Sequence, residues 1–102
     1  LGGNAPCLVF DDANLDLAVE HAVFGKYRNA GQTCVCVNRF IVQRAIAAEF
    51  VRRFVAATTA LRVGDGMDPE TDVGPVINER GLEKIRRLVR DALDRGATAV
   101  CG

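Results

Sequence analysis

Tryptophan is absent from this 102-residue chain, and histidine, methionine and tyrosine each occur only once. No apolar run approaches the roughly 18 residues that a membrane-spanning helix needs. Thirteen basic and thirteen acidic residues cancel to a formal net charge of zero, so no basic field is available to attract a phosphate backbone. We therefore expect neither a membrane nor a nucleic acid as partner. No charged segment precedes an apolar stretch, so a signal peptide is not indicated and a cytoplasmic location is expected.

Hydrophobic residues make up 49% of the chain and charged residues 25%. These values are typical of a globular domain and argue against disorder. The chain opens at Leu1 without a methionine and closes on what resembles the beginning of a strand. We therefore interpret it as a fragment of a longer protein.

Four cysteines are present, at positions 7, 34, 36 and 101. A secreted disulfide scaffold would be denser in cysteine and poorer in aliphatic residues, so a disulfide framework is not favoured. A zinc site usually shows paired Cys-x-x-C motifs, whereas this chain has one Cys34–Cys36 pair and the single His21. No metal site is predicted, and zinc held by these residues remains an alternative that a metal assay decides.

Apolar runs bounded by turn residues alternate with segments of helical periodicity. The predicted strands are 6–10, 38–43 and 97–101, with 73–77 either a short strand or extended chain. The predicted helices follow Asp12, cover 45–61, and run from the cap Asn78 to Gly96. The order β-α-β-α-(β)-α-β favours an α/β fold, with a mostly parallel sheet and helices packed on its faces.

Cys34 is the residue whose placement most strongly suggests chemistry. It follows a predicted helix end in a glycine-containing loop that leads into a strand, a position that favours access. The reactive form of cysteine is the thiolate, which nearby cations favour. Lys26 and Arg28 are close to Cys34 in sequence, although their side chains need not point at the sulfur. The alternative is a small buried residue at a tight turn.

Four blocks in register resemble the aldehyde dehydrogenase superfamily. They are Leu-Gly-Gly-Asn-Ala-Pro at 1–6, Gly-Gln-Thr-Cys at 31–34, Val-Gly-Asp-Gly at 63–66 and Asp-Val-Gly-Pro at 72–75. The resemblance covers essentially the whole chain, and it implies that Cys34 is the catalytic nucleophile.

The resemblance also implies a reaction. Thiolate attack on an aldehyde gives a thiohemiacetal, which passes hydride to NAD or NADP, and water then hydrolyses the thioester with the help of a general base. The backbone N–H of Cys34 is expected to donate to the developing oxyanion, and Leu1 and Gly2 are expected beside the nicotinamide.

The same resemblance implies that the machinery is shared with other segments. The family's general-base Glu would precede Leu1, and the cofactor-binding domain is absent. Residues 1–102 are therefore interpreted as a partial, thiol-bearing catalytic domain of a homo-oligomeric parent. The isolated chain is expected to be inactive, and a folding or assembly unit is the competing interpretation.

The segment 26–39 is similar to the succinate-semialdehyde dehydrogenase branch of the superfamily. A substrate with an aldehyde at one end and a carboxylate at the other needs a cation at some distance from the thiol. Arg28 suits that task because guanidinium binds carboxylate as a fork. A different aldehyde remains the alternative substrate, and a surface arginine at a helix end is the alternative interpretation of Arg28.

Cys36 lies two residues beyond the nucleophile and is a candidate redox partner. A Cys34–Cys36 disulfide would close a small, strained ring that is easily reduced, so it would switch the thiolate off reversibly. The alternative is that Cys36 points into the core where the strand begins.

Overall fold

A computed structural model describes residues 3–102 of the chain. Strands β1 (Ala5–Val9) and β2 (Val37–Val42) pair in parallel, and their register places Cys7 opposite Phe40 and Val9 opposite Val42. The register shifts by one residue between Ala5 and Pro6. A parallel pair connected through a helix confirms the predicted α/β class.

Helix α1 (Leu15–Tyr27) makes the crossover from β1 to β2. The helix predicted to follow Asp11 and Asp12 is present, and it begins at Leu15. Asn14 caps it, because its side-chain oxygen accepts hydrogen bonds from the backbone N–H groups of Asp16 and Leu17, at 3.1 and 3.2 Å. A side chain that satisfies these otherwise free donors fixes where the helix begins.

The hydrophobic core lies between one face of the sheet and two helices, α1 and α2 (Arg44–Thr59). Its buried members are Val9, Val19, Ala22 and Phe50. The rings of Phe40, Phe50 and Phe54 form a cluster with centroid separations of 5.2–6.1 Å. Leu8 and Ile41, on the opposite face of the sheet, remain exposed. Both helices therefore cover the same face, whereas the sequence predicted helices on the faces of the sheet without distinguishing them.

The predicted strand over 97–101 is wrong: these residues form no strand in the structure. The segment 73–77 is extended, with a single parallel bridge between Val63 and Val73. A strand needs a neighbouring backbone for its hydrogen bonds, and within residues 3–102 the sheet has two strands.

Helix α3 (Glu79–Asp94) is capped by Asn78, as predicted, through a 2.9 Å bond from the N–H of Gly81 to the Asn78 side chain. Its predicted apolar stripe is present, but Ile85 and Leu88 are exposed. Within residues 3–102 no helix combines the length and apolar character needed to cross a membrane.

Candidate active site

A left-handed turn (residues 29–31) separates α1 from the cysteine loop. Asn29 has φ 52° and ψ 39°, Ala30 has φ 54° and ψ 31°, and Gly31 has φ 75°. Only glycine enters this region freely, and each other residue costs about 1–2 kcal/mol, less for asparagine. From the sequence, the helical pattern fades over residues 28–31, with Gly31 as the stop signal, and α1 ends at Tyr27. The backbone is therefore in the left-handed conformation over three residues shortly before Cys34.

Cys34 stands at the tip of a tight turn formed by residues 33–36. The turn is closed by a 3.0 Å hydrogen bond from the backbone N–H of Cys36 to the carbonyl oxygen of Thr33. Cys34 is exposed and its thiol is free. Within residues 3–102 its backbone N–H has no hydrogen-bond acceptor. The exposed thiol and the free N–H give the arrangement that nucleophilic attack and oxyanion stabilisation require.

Cys36 anchors the far end of this turn. It is 5% exposed, and its thiol donates to the carbonyl oxygen of Lys26 at 3.2 Å. The Lys26 ammonium group in turn donates to the carbonyl oxygen of Val37, also at 3.2 Å. The burial of Cys36 agrees with the alternative in which it points into the core. Because both Cys34 and Cys36 are free thiols, their redox exchange stays a prediction.

Arg28 is exposed at the end of α1. Its guanidinium carbon lies 6.0 Å from the centroid of the Phe24 ring, within cation–π distance. In the described part of the chain Arg28 forms no ion pair. It lines a cleft with Tyr27, Leu61 and other residues, and Cys34 is not among those that line it. The acidic residues Glu20 and Asp72 line the same cleft. The role of Arg28 toward the substrate stays a prediction.

Gly3 is a site residue that the sequence reasoning did not single out. A Cβ atom built on Gly3 would lie 2.4 Å from the carbonyl oxygen of Cys34, far inside van der Waals contact. The start of the chain thus passes against the backbone of the cysteine, where only glycine fits. The signal was the second glycine of the Leu-Gly-Gly motif. Leu1 and Gly2, the predicted nicotinamide contacts, lie outside the described residues.

Metal ligation receives no support from the described side chains. His21 is exposed on α1, and residues 3–102 contain no group of three histidine, cysteine or acidic side chains that could hold a metal ion.

Comparison with known proteins identifies the family to which this chain belongs. The family model described as "Aldehyde dehydrogenase family" matches residues 1–102, so the chain belongs to the aldehyde dehydrogenase family. The chain spans about a fifth of the length of the curated relatives it matches.

Among these relatives, the succinate-semialdehyde dehydrogenase [NADP(+)] of Escherichia coli is 50% identical over 102 residues, which are 100% of this chain and 21% of that protein. The 3-sulfolactaldehyde dehydrogenase of Pseudomonas putida gives the same figures. Among solved structures, the betaine aldehyde dehydrogenase of Staphylococcus aureus in complex with NAD+ superposes with a TM-score of 0.96 at 37% identity, covering 100% of this chain and 20% of that one.

Proposed function

We propose that this chain carries the nucleophile of an NAD(P)-dependent aldehyde dehydrogenase and that Cys34 attacks the aldehyde carbon. The observation that carries the proposal is the exposed Cys34 thiol at the tip of a turn, where the Cys34 N–H has no acceptor among residues 3–102. Attack by the thiolate places negative charge on the former aldehyde oxygen, and the Cys34 N–H is a donor that can stabilise it. A nicotinamide cofactor, when bound, supplies the hydride acceptor.

We further propose that the substrate is a short aldehyde with an anionic group at its far end, and succinate semialdehyde in particular. Arg28 is an exposed cation that pairs with no anion within residues 3–102. Two relatives with equal identity act, by name, on succinate semialdehyde and on 3-sulfolactaldehyde. A carboxylate and a sulfonate both accept hydrogen bonds from a guanidinium group, so the same arginine serves either substrate.

The nucleophile is tested in the full-length protein that carries this chain. Cys34→Ala is expected to abolish NAD(P)H production from succinate semialdehyde. Cys101→Ala is the matched control, because Cys101 is also an exposed free thiol and lies outside the cysteine loop. Retention of activity in Cys34→Ala, or equal loss in both variants, would contradict the assignment.

The substrate is tested by comparing succinate semialdehyde, 3-sulfolactaldehyde and uncharged butanal. Arg28→Gln removes a charge-assisted hydrogen bond of about 1.5–3 kcal/mol. It is therefore expected to lower kcat/KM for the anionic aldehydes by about 10- to 100-fold and to leave that for butanal unchanged. Arg90→Gln on the exposed α3 helix is the control. An equal loss for butanal would refute the role of Arg28, and preference for the sulfonate would change the substrate while keeping the site.

A further inference from the structure

The side chain of Gln32 connects the cysteine loop to a distant part of the chain. Its amide oxygen accepts a 2.9 Å hydrogen bond from the backbone N–H of Ile77, which lies 45 residues further along. Its amide nitrogen donates to the carbonyl oxygen of Asn29 at 3.1 Å. Gln32 therefore ties the left-handed turn to the extended segment that leads into α3.

The left-handed turn depends on hydrogen bonds of this kind. Asn29 and Ala30 adopt a backbone conformation that non-glycine residues populate only when their surroundings hold them there. The Asn29 side chain donates to the backbone carbonyl oxygen of Gln32 at 3.1 Å, so each of the two side chains bonds to the backbone of the other residue. The backbone N–H of Gln32 adds a 3.0 Å bond to the carbonyl oxygen of Asn29. The local contacts close the turn, and the bond to Ile77 joins it to the segment that precedes α3.

Cys34 lies between two anchored residues. Upstream, Gln32 is separated from it by Thr33 alone. Downstream, Cys36 is held by its buried thiol and by the backbone bond to Thr33. The backbone on both sides of Cys34 is therefore held by hydrogen bonds. Each end of the Gln32 amide makes one hydrogen bond within the protein, to Asn29 and from Ile77.

We infer that Gln32 is a positioning residue that orients Cys34 for attack on the aldehyde through its hydrogen bond to Ile77. The inference rests on the proposed function, because it assigns a residue that serves the same nucleophile. A nucleophile displaced by about 1 Å can lose on the order of 100-fold in rate. Loss of the hydrogen bond between Gln32 and Ile77 is therefore expected to lower kcat while leaving the affinity for substrate unchanged.

Gln43 provides a matched control. Its amide also makes two hydrogen bonds, both of them long-range, accepting from the Asp11 N–H at 3.0 Å and donating to the Asp11 carboxylate at 2.9 Å. Both glutamines are exposed, and Gln43 lies at the far end of β2 from Cys34. Gln43→Met therefore removes the same number of bonds from a comparable environment.

The experiment compares Gln32→Met, Gln32→Asn and Gln43→Met in the full-length protein. Asparagine retains an amide but is one methylene too short to reach Ile77, so both Gln32 variants are expected to behave alike. The measurements are kcat and KM for succinate semialdehyde, thermal stability, and amide hydrogen exchange at Ile77 and Cys36. Exchange reports the loop geometry without reference to activity.

We expect both Gln32 variants to lose about 10- to 100-fold in kcat with KM within threefold, and to exchange faster at both amides. Gln43→Met is expected to keep kcat and both exchange rates at a similar melting temperature. The inference is overturned if kcat is unchanged, if KM rises instead, or if the Cys36 amide stays protected. If wild-type protein shows no Cys34-dependent aldehyde oxidation, the proposed function fails, and unchanged Cys36 exchange would separately overturn the positioning role.

Discussion

Gly3→Ala tests whether the close approach of the chain start to the nucleophile is required. The added Cβ would lie 2.4 Å from the carbonyl oxygen of Cys34, whereas ordinary contacts begin at 3.4 Å. The two backbone segments must therefore separate by about 1 Å. The Cβ atom is bonded directly to the backbone and the oxygen is a backbone carbonyl, so no side-chain rotation relieves the contact.

The expected cost follows from that displacement. Overpacking of this kind destabilises a protein by about 1–3 kcal/mol. A shift of about 1 Å at the nucleophile is expected to lower kcat by about 10- to 100-fold, because attack requires close alignment with the aldehyde carbon. The free energy of unfolding and kcat should therefore fall together in this variant.

The assay uses the full-length protein, with urea denaturation for stability and saturating succinate semialdehyde for kcat. Gly66→Ala is the matched control: a Cβ at Gly66 meets nothing within 4 Å, and its φ lies outside the left-handed region. This control is expected to change the unfolding free energy by no more than about 0.5 kcal/mol. If Gly3→Ala matched the control in both measurements, the close approach would be irrelevant and the reasoning refuted.

Two further predictions concern α2. Phe50→Ala is expected to cost about 3–5 kcal/mol in urea denaturation, because Phe50 is 3% exposed in the aromatic cluster; a loss no larger than that of exposed Val51→Ala would contradict the core assignment. Hydrogen bonds from Arg52, and then from Arg53, lower the pKa of Glu49 to about 2. A lowered carboxylate pKa stabilises the folded state above the unfolded-state pKa, near 4.5, and this stabilisation is lost as the pH falls toward 2. Glu49→Gln should therefore differ most from wild type above pH 4.5 and converge with it near pH 2, in low-salt denaturation; a constant difference would refute the ion pairing.

Much of the fold followed from local patterns. The runs around Val9 and Phe40 predicted both strands to within one residue, since apolar and β-branched side chains bounded by turn residues favour strands. Asn78 was predicted to cap α3 because a side-chain oxygen at that position satisfies free helix donors. The strand predicted over 97–101 was wrong. An apolar pattern indicates only that a segment favours the strand conformation, whereas a strand forms when a neighbouring backbone accepts and donates its hydrogen bonds.

In the candidate site too, some features follow from local sequence and others depend on contacts between distant segments. The sequence by itself determined that Cys34 lies in a loop between a helix and a strand, and the order of its motifs placed the chain in the aldehyde dehydrogenase family. Only the tertiary structure decided that Cys36 is buried, that Gly3 packs against the Cys34 carbonyl, and that Gln32 reaches Ile77. The physical reason is the sequence separation over which each interaction acts. Helix caps and strand patterns act over a few residues, whereas these contacts join atoms up to 45 positions apart, and their partners are fixed only when the core brings the segments together.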